Sequence, residues 1–133
     1  MIKTQSLNEN HRFRALYGRG KNKAGKFMVV YVMKNHLGPV VRLGITVSKK
    51  LGHAVTRNRI RRRIREAYRL HEQEIKNGYD IVIVARHAAE HAPFEALMEE
   101  MTSLLRQLGA AENKPEVMAE SSVETGTMYF SSL

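Results

Sequence analysis

Thirteen consecutive residues, Arg57–Arg69, read RNRIRRRIREAYR and carry seven arginines against one glutamate. That density of like charge leaves few ways to fold. Placed on a helix at about 100° per residue, Ile60, Ile64, Ala67 and His71 fall in one narrow apolar stripe. Asn58, Arg61, Arg62, Arg65 and Arg69 gather on the opposite side, with Arg59 between them near Glu66. Arg57 and Arg63 flank the stripe, where their aliphatic stems can lie along apolar surface. The spacing predicts a helix from Ala54 or Thr56 to about Glu74, ended by Gly78. Its apolar stripe requires a core to pack on, so the helix belongs to a folded domain.

The opposite side is almost all guanidinium. Like charges four apart on a helix destabilise it by a few tenths of a kcal/mol per pair. Glu66 alone cannot neutralise five such groups. The bland alternative is a solvated charged face, but a single-sign face of this density marks a polyanion site. Arginine suits phosphate because its planar fork donates two parallel hydrogen bonds. The whole chain agrees, with 22 Lys and Arg against 13 Asp and Glu and a net charge of +9. Nucleic acid comes first as partner and an anionic membrane second. A helix reading a DNA major groove mixes arginine with base-reading Asn, Gln or Ser. Here Asn58 stands nearly alone, which suits backbone recognition of a shaped RNA, although charge by itself leaves DNA open.

The rest of the chain supplies the scaffold. Asn8 or Asn10 is a candidate cap for a helix carrying Phe13, Leu16 and Tyr17. Gly18–Lys26 reads as a loop with a short edge strand. Phe27–Met33 is a β-branched and aromatic strand, and Lys34–Pro39 a turn. In Val41–Ser48, Val41, Leu43, Ile45 and Val47 point to one face, and Arg42, Gly44, Thr46 and Ser48 to the other. The first face wants a core; the second is expected to be polar and wet. Tyr79–Ala85 is apolar on both faces and belongs in the middle of a sheet. Pro93 opens a last helix to about Leu108, with Phe94, Leu97, Met101, Leu104, Leu105 and Leu108 as its buried stripe. The expected class is α+β, one sheet with helices packed mainly on one side.

Charge also divides the chain. Residues 109–133 hold one lysine and four glutamates, whereas residues 1–108 hold all the excess of positive charge. We therefore expect an RNA-binding domain over 1–108 and an acidic, mostly disordered tail over 109–133. With no cysteine, disulfides and cysteine-based zinc sites are excluded. No apolar run approaches the roughly 18 residues of a membrane helix. The N-terminus lacks the apolar stretch of a signal peptide, so a cytoplasmic location is expected. His87-Ala88-Ala89-Glu90-His91 fits the zinc-peptidase pattern H-x-x-E-H. It follows a strand directly and meets Pro93 two residues later, so the helix that pattern needs is not expected.

Lys49-Lys50-Leu51-Gly52-His53-Ala54-Val55-Thr56-Arg57-Asn58-Arg59-Ile60-Arg61-Arg62 resembles the signature of the bacterial ribonuclease P protein component. A strand ending in serine, a Lys-Lys pair, a Gly-x-Ala-Val turn and Arg-Asn-Arg opening a basic helix carry the likeness, which extends from about His11 to Leu108. The resemblance implies an α-β-β-β-α-β-α two-layer sandwich with a left-handed crossover, an exception to the usual hand. It implies a subunit of an endoribonuclease that removes the 5′ leader of precursor tRNA, with the chemistry carried by the catalytic RNA and by magnesium held mainly on that RNA. No residue of this chain would then be nucleophile or general base. No membrane and no obligate protein partner is implied.

By the same resemblance, Arg57, Asn58, Arg59 and Arg62 contact the catalytic RNA, and Lys49, Lys50, Arg61 and Arg65 add phosphate contacts. The leader would cross a cleft beside the first helix, where Phe13, Tyr17 and Tyr31 match the family's aromatics and Arg42, Thr46 and Ser48 line the floor. Stacking on a ring is worth roughly 1–3 kcal/mol per base and tolerates any sequence. Rings at helical or strand spacing are also ordinary core residues. Tyr17 stands where phenylalanine is common, and Arg63 where an apolar residue is frequent. The rival class is a ribosomal or other structural RNA-binding protein without a processing role, which would share this composition and charge.

Overall fold

A computed structural model describes residues 3–112. The elements run β1 (Thr4–Ser6), α1 (Asn10–Arg19), β2 (Lys21–Ala24), β3 (Met28–Lys34), β4 (Val41–Thr46), α2 (Ala54–Leu70), β5 (Tyr79–Ala85) and α3 (Phe94–Gln107). Short 3₁₀ turns occupy Lys49–Leu51, Glu72–Glu74 and His87–Ala89. From α1 onward the order is the expected α-β-β-β-α-β-α. The additional strand, β1, is three residues of polar sequence, too short for a periodic pattern.

The five strands form one mixed sheet in the order β1-β4-β5-β3-β2. Strand β5 lies in the middle, parallel to β4 and antiparallel to β3, as its two apolar faces require. Helix α2 is the crossover between the parallel strands β4 and β5. On one face, α2 and α3 pack over Val30, Val32, Leu43, Ile81 and Ile83, all buried. On the other face lies α1, over a smaller cluster built on Leu7, Leu16 and Val82. Two helices on one side and one on the other is the α+β architecture expected.

The stripe of α2 is wider than the wheel alone suggested. Ile60, Ile64 and Ala67 are buried, and so is Tyr68, whose hydroxyl lies 3.0 Å from Thr4 Oγ1 and ties β1 to the helix. Burial pushes the Tyr68 phenol up to about 12. Helix α2 also stops at Leu70, and the 3₁₀ turn at Glu72–Glu74 completes the expected span to Glu74.

Two expectations are corrected. The fold does not break at Gly109: Ala110 and Ala111 are buried. Lys76 N–H donates to the Ala110 carbonyl at 2.8 Å, and Glu112 N–H to the Glu74 carbonyl at 2.9 Å. A charge count cannot detect small apolar residues that pack after a helix end. The expectation of disorder from residue 113 onward lies outside the described residues. Second, the face of β4 expected to be wet is partly covered, because α1 lies against that side of the sheet. Gly44 is buried there and Arg42 is half-buried. Alternation distinguishes the two faces of a strand but does not say whether a helix will cover the polar one.

Candidate nucleic-acid interface

Ser48 ends β4's extension by accepting the Lys50 N–H on its Oγ at 3.2 Å. This cap turns the chain so that Lys49 and Lys50 stand exposed just before α2. Along α2 the guanidiniums divide by partner. Arg62 and Arg65 are exposed and make no hydrogen bond or ion pair with a described residue. Asn58 is exposed and accepts from Arg61 at 3.0 Å, which holds that half-buried side chain along the helix. Arg57 Nε donates to the Gly52 carbonyl at 3.2 Å.

Other arginines are already neutralised. Arg59 pairs with Glu90 at 2.9 Å, so it is not the free phosphate contact its place in the motif suggested. Glu66 pairs with Arg69 at 2.5 Å rather than standing near Arg59. The hydrogen bond from Arg69 holds the Glu66 carboxyl below its ordinary range. Arg63 donates to the carbonyls of Ala89 and Glu90 at 2.9 and 3.0 Å and also to that of Ala92. It thereby fastens α2 to the turn before α3, which explains an arginine at a position where an apolar side chain would also serve. Glu90 is the residue sequence reasoning missed, because its role in H-x-x-E-H drew attention to metal chemistry. Among the described residues no group of three or more His, Cys, Asp or Glu is placed to hold a metal ion.

The expected cleft aromatics come together. Phe13 and Tyr17, one turn apart on α1, have ring centroids 6.4 Å apart. Tyr17 meets the Tyr31 ring edge-on at 5.0 Å, and its hydroxyl lies 3.3 Å from Thr46 Oγ1. Tyr17 is 43% exposed; Phe13, Tyr31 and Thr46 are half-buried. The three rings are both packing and surface. Phe13 lies over Gly44, and a cavity of about 210 Å³ beside it is lined by Asn8, Phe13, Gly44, Arg61 and Arg65 among others. Aromatic row and arginine helix thus border one hollow.

Arg42 is not a free cation on the cleft floor. Its Nε and terminal nitrogen both donate to Asp80 at 2.8 Å. Arg12 from α1 donates to the same carboxylate at 2.7 Å, and Asn35 at 3.1 Å. Burial alone would push the fully buried Asp80 up, but these donors, Arg42 first, hold its carboxyl below the usual carboxylate range. Asp80 raises Arg42 in turn through their hydrogen bonds. The signal was present in the sequence: a lone acid inside the buried run YDIVIVA must have a partner.

Among the described residues no helix is long and apolar enough to cross a membrane. The family model described as ribonuclease P matches residues 1–109. The ribonuclease P protein component of Clostridioides difficile (strain 630) is 43% identical over 106 residues, covering 79% of this chain and 92% of that protein. That of Thermoanaerobacter sp. (strain X514) is 42% identical over 103 residues, covering 77% and 88%. Among solved structures, the RNase P protein of Staphylococcus aureus superposes with a TM-score of 0.73 at 34% identity, covering 83% of this chain and all of that one. The Thermotoga maritima RNase P protein gives 0.68 at 29%, covering 82% and 99%. Sequence, fold and the order of motif residues agree, and the chain belongs to the ribonuclease P protein family.

Proposed function

We propose that this chain, as the protein subunit of ribonuclease P, grips the catalytic RNA with α2 and guides the 5′ leader of precursor tRNA along the α1 side of the sheet. The observation that carries the reading is the row of unpartnered cations, Lys49, Lys50, Arg62 and Arg65, on a helix whose other arginines are held internally. Arg57, Asn58 and Arg61 extend that surface. Arg59 joins it only by exchanging Glu90 for phosphate. In the leader path, Phe13, Tyr17 and Tyr31 offer ring surface to unpaired bases, and Thr46 and Ser48 offer hydroxyls. Arg42 positions α1 through Asp80 rather than meeting the leader itself.

The endonucleolytic step belongs in this reading to the RNA, with magnesium supplying the charge that assists hydrolysis. The described residues provide no cluster of metal-binding side chains, so no step is assigned to a metal on this chain. Its own work is to bind, to orient and to neutralise phosphate, and its place of work is the cytoplasm. The test adds the protein to bacterial ribonuclease P RNA at low magnesium and follows leader removal from precursor tRNA. Faster cleavage is the expected result. Unchanged cleavage, with RNA binding intact, favours a structural RNA-binding role.

A further inference from the structure

At the sheet edge away from α2's strand, a second basic site is built from residues outside the arginine motif. Arg19 ends α1 and Lys21 begins β2. Between them, a Cβ on Gly20 would stand 2.6 Å from the Leu16 carbonyl and 2.9 Å from that of Val32. Only glycine lets the chain turn this tightly against β3. The register pairs Lys21 with Val32 and Lys34 with Tyr79, so these four side chains share one face. Together with Arg19 and Leu108 they enclose a cavity of about 240 Å³, and no acidic residue lines it.

Three cations around one hollow repel one another unless an anion joins them. Complementing the C-terminal end of α3 is one use for such cations. Yet the carbonyls of Leu104, Leu105 and Arg106 there already accept backbone N–H groups from Leu108, Ala110 and Gly109. Arg19, Lys21 and Lys34 make no hydrogen bond or ion pair with a described residue. We infer that Arg19, Lys21 and Lys34 form a second phosphate site, which takes a backbone phosphodiester of RNA against the Val32 and Tyr79 wall. The site rests on the ribonuclease P reading and adds to it a contact on the opposite edge of the sheet from the arginine helix.

The test compares K21Q/K34Q with K26Q/K76Q, which removes the same charge outside the cavity, each in the full chain. Affinity is measured against salt in two arms: protein with ribonuclease P RNA, and the assembled holoenzyme with precursor tRNA. In one arm K21Q/K34Q is expected to flatten the log–log slope by about 1.4–1.8, at roughly 0.7–0.9 per lost phosphate contact, while K26Q/K76Q changes it by less than half as much. The arm affected tells whether the phosphate is the catalytic RNA's or the substrate's. K21R/K34R, which keeps the charge, is expected to bind as wild type does. Equal effects of the two neutralised pairs in both arms would overturn the site. Wild-type protein that binds neither RNA would overturn the parent reading instead.

Discussion

The ring of Phe13 occupies the space that a side chain on Gly44 would need. A Cβ there would stand 2.7 Å from Phe13 Cζ, so β4 carries a glycine where α1 crosses it. Gly44→Ala is expected to displace the ring and destabilise the protein by about 1–3 kcal/mol, the usual range for overpacking. Urea denaturation measures this, with the slope of the transition unchanged.

Phe13→Ala removes the ring while leaving the arginine face intact. Binding to ribonuclease P RNA is expected to stay within twofold, by about the 0.4 kcal/mol that corresponds to such a change. The preference of the holoenzyme for precursor over mature tRNA is expected to fall about tenfold, as the loss of one stacked base would give. Equal weakening toward both substrates would mean that the ring serves only packing.

Asp80 joins Arg12 on α1 to Arg42 on β4, and its depressed carboxyl fixes a pH dependence. A carboxyl lowered by folding contributes stability that is fully present above its unfolded value, about 3.9. That contribution is lost as pH falls through the still lower folded value. Asp80→Asn is therefore expected to be less stable than wild type at neutral pH, with the gap closing below about pH 4. Thermal unfolding between about pH 7 and pH 3 follows the gap. A gap that stays constant over this range would show that the pair does not set acid stability.

Arg63 and its neighbour Arg62 are expected to behave differently although both are arginines in one motif. Arg63→Ala leaves the carbonyls of Ala89, Glu90 and Ala92 without their donor and is expected to cost about 1–3 kcal/mol of stability. Its RNA affinity, corrected for the folded fraction, is expected to match wild type. Denaturation and filter binding on the same preparation separate the two effects.

The order of elements, the central place of β5 and the buried stripe of α2 were legible because periodicity and β-branching act locally. Phe13, Tyr17 and Tyr31 could be grouped only through family resemblance, since Tyr31 reaches the α1 pair by tertiary packing. Charge pairing was least legible. Arg59 with Glu90 and Arg42 with Asp80 lie 31 and 38 residues apart, and a helical wheel contains no information at that range. It placed every guanidinium on the outer side as equivalent, where the fold leaves Arg62 and Arg65 without an acid and gives one to Arg59 and Arg69. The strand β1 was hidden for a related reason: its place depends on β4 and on the Tyr68 hydroxyl, not on its own three residues.

The most direct test of the exposed cations of α2 as the RNA contact is the salt dependence of binding to ribonuclease P RNA for wild type and for R62A/R65A. Neither side chain holds the fold together, so the double variant is expected to keep its stability within about 0.5 kcal/mol. Its log–log slope is expected to be shallower by about 1.4–1.8, two phosphate contacts' worth. An unchanged slope in a correctly folded variant would contradict the account.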